Sequence, residues 1–162
     1  MKIIYPGTFD PLTLGHSDLI SRASKMFSKV IVAVAASPRK QPLFSLSERK
    51  ALIEEVLLSQ PELAKKVEVI DFSGLLVDLM RQHDCQLVLR GVRSGQDFDY
   101  ELQLAQLNAT LLPGMDSIFL PPNKKLSFIA ATLVREVASL GGAVSQLVHP
   151  YVASQLKQKF AK

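Results

Sequence analysis

Two glycines, two threonines, an aspartate and a histidine crowd into Gly7-Thr8-Phe9-Asp10-Pro11-Leu12-Thr13-Leu14-Gly15-His16. A short apolar run precedes this turn and an amphipathic stretch follows it. A turn of this kind presents backbone N–H groups and the positive end of a helix dipole to an anion. Glycine at position 15 lets a phosphate approach the main chain, and the His16 imidazole offers a hydrogen-bond donor beside it. Phosphate chemistry is what this grouping can perform. A plainer reading has Thr8 and Asp10 closing turns and His16 capping a helix. It explains each residue singly but not the order of strand, turn and helix.

Basic residues recur at two other turns. Arg90 and Arg93 flank Gly91-Val92 after the apolar pair Val88-Leu89, and arginine forks match phosphate oxygens in pairs. Arg93 taken alone also reads as a surface arginine paired with Asp97 or Asp99. Arg39-Lys40 lies in the loop after the second apolar run, with Lys40 the better candidate. Ser127-Phe128-Ile129-Ala130-Ala131-Thr132 is expected to open the last long helix, where unpaired N–H groups make another anion cradle. Glu101 reads first as an early helix residue. The chain has no GxxxxGK[ST] loop, no GxGxxG fingerprint, no zinc-spaced Cys or His cluster and no GxSxG elbow.

The 162 residues suit one domain, taken as 1–162. With 48% hydrophobic and 21% charged residues the chain has a globular, not a disordered, balance. A net charge of +4 without a basic run argues against a nucleic-acid partner and suits a site for several phosphates. No apolar run approaches the ~18 residues of a membrane span, so no membrane partner is expected. The opening residues read as a strand, not a signal peptide. Cys85 is the only cysteine, which leaves no intrachain disulfide. It reads as a packing residue and fits a reducing, cytoplasmic location.

Strand and helix signals alternate along the chain. Strands are expected at Lys2–Tyr5, Val30–Ala36, Val67–Ile70, Leu87–Arg90 and Ser117–Leu120. Between them lie helices at Asp18–Phe27, at a helix opened by the capping box Ser45-Leu46-Ser47-Glu48 and ended before Pro61, at Leu75–Gln82 with Ser73 as a cap, and at Asp97–Leu112. The Asp97–Leu112 periodicity turns Tyr100, Leu104, Leu107 and Leu111 inward, and Asp97, Asp99 and Glu101 fall in its first turn. A helix at Ser127–Leu140 ends at Gly141-Gly142, and Pro150 opens a last one after His149. This order specifies an α/β fold: a doubly wound, five-stranded parallel sheet, Rossmann-like. The usual strand order sets strand 1 beside strand 4, where the winding reverses and ligands bind. The turns carrying His16 and Arg90 follow those two strands.

With these motifs the chain resembles the bacterial phosphopantetheine adenylyltransferases, of the nucleotidyltransferase superfamily marked by [HT]xGH, here Thr13-Leu14-Gly15-His16. The resemblance runs through Tyr5–Pro11, Ala35–Pro42, Phe72–Leu76, Arg90–Arg93, Asp97–Ala105 and Ser127–Val137. It implies transfer of an adenylyl group from ATP to 4′-phosphopantetheine, giving dephospho-coenzyme A and pyrophosphate, the penultimate step of coenzyme A synthesis. It further implies magnesium as cofactor, a homohexamer, and coenzyme A as a candidate feedback inhibitor. Carried over by position, Thr8, Lys40, Leu76 and Arg90 contact phosphopantetheine. Thr8, Phe9, His16, Gly91, Val92, Arg93, Glu101 and the run Leu126, Ser127, Phe128, Ile129, Ala130, Ala131, Thr132 line the ATP site. The catalytic set is His16, Thr8, Lys40 and Arg90. Many members carry three serines where this chain has Ala130, Ala131 and Thr132. The nicotinamide-mononucleotide adenylyltransferases and glycerol-phosphate cytidylyltransferases share the first motif and are the nearest alternatives. A nucleotide-sensing module without turnover is the alternative outside the enzymes.

Overall fold

The computed structural model of the chain describes residues 1–36 and 41–161. Its five strands are β1 (Lys2–Gly7), β2 (Lys29–Ala35), β3 (Val67–Phe72), β4 (Leu87–Gly91) and β5 (Asp116–Leu120). They form one parallel sheet in the order β3-β2-β1-β4-β5. The winding therefore reverses between β1 and β4, as the alternation of elements predicts. The helices are α1 (Leu14–Met26), α2 (Leu46–Leu58), α3 (Pro61–Ala64), α4 (Leu76–Gln82), α5 (Gly95–Leu111), α6 (Ala131–Ser139) and α7 (Pro150–Phe160).

The pleat sends successive β1 side chains to opposite faces. Ile3 and Tyr5 join Val30, Val32 and Val34 on one face, under Leu19, Ile20, Ile53 and Val56 from α1 and α2. Ile4 joins Ile31, Ala33 and Val88 on the other face, under Val77 and Met80 of α4. Cys85 is buried in that second core, in keeping with a packing role.

Several elements differ from the sequence expectation, each for a local reason. α1 starts at Leu14, not Asp18, because Thr13 caps it before its apolar stripe begins. Pro61 opens the short α3, its fixed φ suiting the first helical position. Ser73 does not cap α4: the N-cap is Leu75, without a side-chain bond, and Gly74 turns the chain at φ +95°. α6 starts only at Ala131, since a 3-10 turn at Lys124–Leu126 takes up the preceding residues and Ala130 is extended. α5 starts at Gly95, so of its three early acids only Asp97 lies in the first turn.

The inward stripe expected on α5 is the clearest reversal. Tyr100 is 62%, Leu107 56% and Leu111 42% exposed, and none of the helix's residues is fully buried. The periodicity is real, but α5 packs at β5, the last strand of the sheet, and its apolar stripe stays largely exposed.

Ile20 and Met26 share α1, yet Ile20 is buried in the core while Met26 is exposed. Ile20→Ala is expected to lower the unfolding free energy by about 2–5 kcal/mol, and Met26→Ala to leave it within about 0.5 kcal/mol. Urea denaturation of both variants measures the contrast.

Candidate active site

The site begins with the cap of α1. The Thr13 hydroxyl accepts a hydrogen bond from the His16 N–H at 3.4 Å, and the Thr13 N–H donates to His16 Nδ1 at 3.1 Å. This is a capping box in which imidazole replaces the usual Glu or Gln. Because Nδ1 accepts a backbone N–H, it carries no proton in the neutral ring. The proton then sits on Nε2, and the cap alone sets the tautomer. Burial, helped by the positive charge of Arg93, lowers the His16 pKa from 6.5 to about 4. Near neutral pH His16 is therefore an uncharged donor. Phe9, held at φ +49°, sets its ring edge-on to the imidazole at 5.1 Å.

His16 opens into a cavity of about 500 Å³ at the carboxyl ends of β1 and β4. Gly15, Gly91, Arg93, Glu101, Leu126 and the stretch Ile129–Thr132 also border it. A Cβ built on Gly15 would meet only Thr13 Oγ1 at 3.6 Å and Leu126 O at 3.7 Å, both ordinary contacts. Protein packing does not demand glycine there, while the open side faces the cavity. Gly91 differs, since its Cβ would fall 2.6 Å from the Leu19 side chain.

Charge is arranged in pairs around the cavity. Arg93 Nε lies 3.2 Å from Asp97 Oδ2, one turn on in the same segment, as its plainer reading had it. Arg90 Nε lies 3.2 Å from Glu101 Oε2. That contact is not aligned as a hydrogen bond, so the buried Glu101 Oε2 has an ion pair but no hydrogen-bond donor. The Tyr5 phenol, also on the wall, is pushed up by burial.

The far wall is fastened to α1. Asp18 accepts the Asn123 N–H at 3.0 Å, and Arg22 donates to the Pro121 carbonyl at 2.6 Å. The Ser127 hydroxyl donates to the Lys124 carbonyl at 3.0 Å and closes the 3-10 turn. Ser127 therefore does not open α6, a correction to the sequence expectation. The N–H cradle at the cavity belongs to the helix start near Ala131 and Thr132 instead.

Not all expected site residues reach the wall. His16, Gly91, Arg93, Glu101, Leu126, Ile129, Ala130, Ala131 and Thr132 border the cavity. Thr8 and Phe9 lie in the first turn without bordering the cavity, and Phe9 is buried. Arg90 reaches the cavity only through Glu101. Val92 hydrogen-bonds through its N–H to the Leu120 carbonyl, Phe128 is 65% exposed, and Leu76 begins α4. Arg39 and Lys40 lie outside the described residues. Wall residues that the sequence left unassigned include Thr13, Leu19, Gln96, Tyr100 and Pro122. Thr13 had a usable signal, a hydroxyl three residues before His16; the others had none.

Away from the wall lies a polar knot that no local sequence signal announces. Asp10, 3% exposed, accepts the Leu43 and Phe44 N–H groups at 2.8 and 2.9 Å. Arg135 of α6 donates to the Asp10 carbonyl and pairs with its carboxylate at 3.3 Å. Arg49 of α2 is 1% exposed and, among the described residues, donates to backbone carbonyls of the first turn, the end of β2 and the connection to α2. Burial lowers its pKa from the ordinary value, with Asp10 opposing.

Residues 4–137 match the cytidylyltransferase-like family. The chain is 52% identical over 159 residues to a phosphopantetheine adenylyltransferase of Hahella chejuensis, covering 98% of this chain and 96% of that one. It is 52% identical over 158 residues to the protein of that name from Nitrosomonas eutropha, covering 98% and 94%. Among solved structures it is similar to Plasmodium falciparum nicotinic acid mononucleotide adenylyltransferase complexed with NaAD. That match has a TM-score of 0.71 at 15% identity, covering 97% and 94% of the two chains, and it bears on the fold.

The depressed His16 pKa predicts a pH effect whose sign is fixed. Between about pH 4 and 6.5 the unfolded chain holds a proton on this imidazole and the native chain does not. Stability contributed by the neutral ring is complete above that window and is lost as pH falls through it. Urea titrations across the window are expected to show a shallower pH slope for His16→Asn than for the wild type.

Proposed function

This chain belongs to the phosphopantetheine adenylyltransferase family, within the cytidylyltransferase-like proteins, and we propose that it transfers the adenylyl group of ATP to 4′-phosphopantetheine, giving dephospho-coenzyme A and pyrophosphate. The observation that carries this reading is the 52% identity over nearly the whole chain. The cavity at the β1–β4 reversal, bordered by the Gly15-His16 motif, Arg93 and a helix start, supports it.

The nucleophile is already an anion, so neither a general base nor a covalent enzyme intermediate is needed. A phosphate oxygen of phosphopantetheine attacks the α-phosphorus of ATP. The bond from that phosphorus to the bridging oxygen breaks, and the electron pair leaves with pyrophosphate. The protein's part is positioning and charge stabilisation. Neutral His16 donates from Nε2 to an α-phosphate oxygen as charge builds there. Thr8, Lys40 and Arg90 hold the attacking phosphate. Arg90 exchanges its unaligned contact with Glu101 for that ligand. Arg93 and the N–H groups at the start of α6 receive the leaving pyrophosphate.

Magnesium is the proposed cofactor, and bound to ATP it would neutralise charge on the phosphates. Among the described residues no cluster of three or more His, Cys, Asp or Glu is placed to hold a metal. The cavity's carboxylates, Asp97 and Glu101, already face arginines. A substrate-borne ion fits that donor set, since magnesium commonly leans on substrate phosphates and few protein ligands.

Assembly into a homohexamer is part of the same proposal. Phe98, Tyr100, Leu102, Leu107 and Leu111 on α5 are exposed, as are Leu133, Val137 and Leu140 on and just after α6. Copies of the chain cover these faces. Coenzyme A, which carries the product's pantetheine and adenylyl parts, is proposed as an inhibitor at this site. Among the described residues no helix is long and apolar enough to cross a membrane, and we place the enzyme in the cytoplasm on the strength of its reaction.

Incubation with ATP, magnesium and 4′-phosphopantetheine is expected to yield dephospho-coenzyme A by mass detection. Nicotinamide mononucleotide or glycerol phosphate in its place is expected to release no pyrophosphate, and the opposite preference would refute the assignment. His16→Ala is expected to lower kcat by on the order of a hundredfold or more, with a much smaller change in the KM for ATP. Leu107→Glu is expected to shift the solution mass, read by light scattering, below that of the wild-type assembly; an unchanged mass removes α5 from the interface.

A further inference from the structure

We infer that Arg49 is a positioning residue for the transfer: its buried guanidinium fixes the first turn, which carries Thr8, against the described ends of the β2–α2 connection at Ala35, Ala36 and Phe44. The inference rests on the reading above, in which Thr8 holds the phosphopantetheine phosphate.

Arg49 occupies an unusual place. The other buried residues of α2 are Leu52, Ile53, Val56 and Leu57, all aliphatic. A charge on that face must be stripped of water, and an apolar side chain of similar volume is often no worse for stability. What Arg49 does with its charge is specific. Nη1 donates to the Thr8 carbonyl and to the Ala35 carbonyl, each at 2.8 Å. Nη2 donates to the Ala36 carbonyl at 3.3 Å, and Nε to the Phe44 carbonyl at 3.1 Å. One partner lies on the first turn. Two lie where the loop leaves β2, and one lies where that loop reaches α2.

Asp10 completes the grip from the opposite side. It belongs to the first turn and accepts the Leu43 and Phe44 N–H groups. Phe44 is thus held at its N–H by an anion and at its carbonyl by a cation, both anchored to the turn. Arg49 does not border the cavity, so it acts only through the backbone it holds. A planar fork can serve carbonyls spread over two loops, whereas an ammonium is a point donor.

The test separates positioning from stability. Arg49→Lys keeps the charge and loses the fork; Arg49→Met keeps the approximate volume and loses all donors. Both are assayed at a temperature where circular dichroism reports the folded state. The KM for phosphopantetheine is expected to rise about tenfold or more in the Lys variant and further in the Met variant. The KM for ATP is expected to stay within about twofold. Two results would overturn the inference: a lowered melting temperature with both KM values unchanged, or a parallel rise in both.

Should neither variant fold, hydrogen exchange on the wild type decides. Phosphopantetheine alone is expected to slow exchange at the Leu43 and Phe44 amides, and ATP alone to leave them unchanged. Equal protection by both ligands, or by neither, overturns the inference. Failure of the underlying reading looks different: the wild type then makes no dephospho-coenzyme A from the two substrates.

Discussion

Loops that leave a parallel sheet carry carbonyls and N–H groups that no strand ladder can satisfy, and here Asp10 and Arg49 satisfy them. A buried backbone group without a partner costs roughly 1–3 kcal/mol, so a site built from several such loops needs internal donors and acceptors. Asp10 takes two N–H groups from residues 43 and 44, and Arg49 takes four carbonyls from three stretches of chain. Arg135 ties α6 to the same aspartate. Elements far apart in sequence are thereby referred to one turn. The groups that border the cavity inherit their spacing in part from these contacts.

His16 shows the same dependence at smaller scale. Its backbone N–H and its Nδ1 both belong to the cap of α1, leaving Nε2 as the ring nitrogen outside the cap. The helix start therefore selects which nitrogen holds the proton, and burial keeps the ring neutral. A neutral donor suits a phosphorus centre approached by an anion: it can stabilise developing charge without being locked into an ion pair beforehand. Helix capping and the proposed transition-state stabilisation use opposite nitrogens of one ring.

The C-terminal third closes the structure around these turns. The Leu147 carbonyl accepts the Leu14 N–H at the first residue of α1. From α7, Lys159 reaches Glu48 at 2.7 Å and lies 5.4 Å over the Phe44 ring. Glu48 is the return partner in the α2 capping box, and the Lys159 hydrogen bond holds its carboxyl below the usual range. On the opposite flank, α5 meets β5 through Phe98 and Phe119 but leaves most of its apolar side chains uncovered. One side of the site is braced by the chain itself. The other presents the surface that the proposed assembly would cover.

Sequence by itself determined the local and periodic features. Apolar runs placed five strands, Ser45 and Glu48 announced a capping box that is present, and Pro150 after His149 announced the start of α7. The motif around Gly15 and His16, with the arginine-bearing turn after β4, led to the end of the sheet where the cavity opens, because these signals are contiguous in the chain. Which way a helix faces, and which charges meet, depends on partners remote in sequence. The stripe of α5 was readable, but its exposure was not. Ser127 looked like a helix start until the 3-10 turn claimed it. Nothing nearby in sequence reveals that Thr8, Ala35, Ala36 and Phe44 converge on Arg49. Tertiary structure alone decided that convergence, because unpaired loop carbonyls gather around a buried cation only once the sheet has brought their strands together.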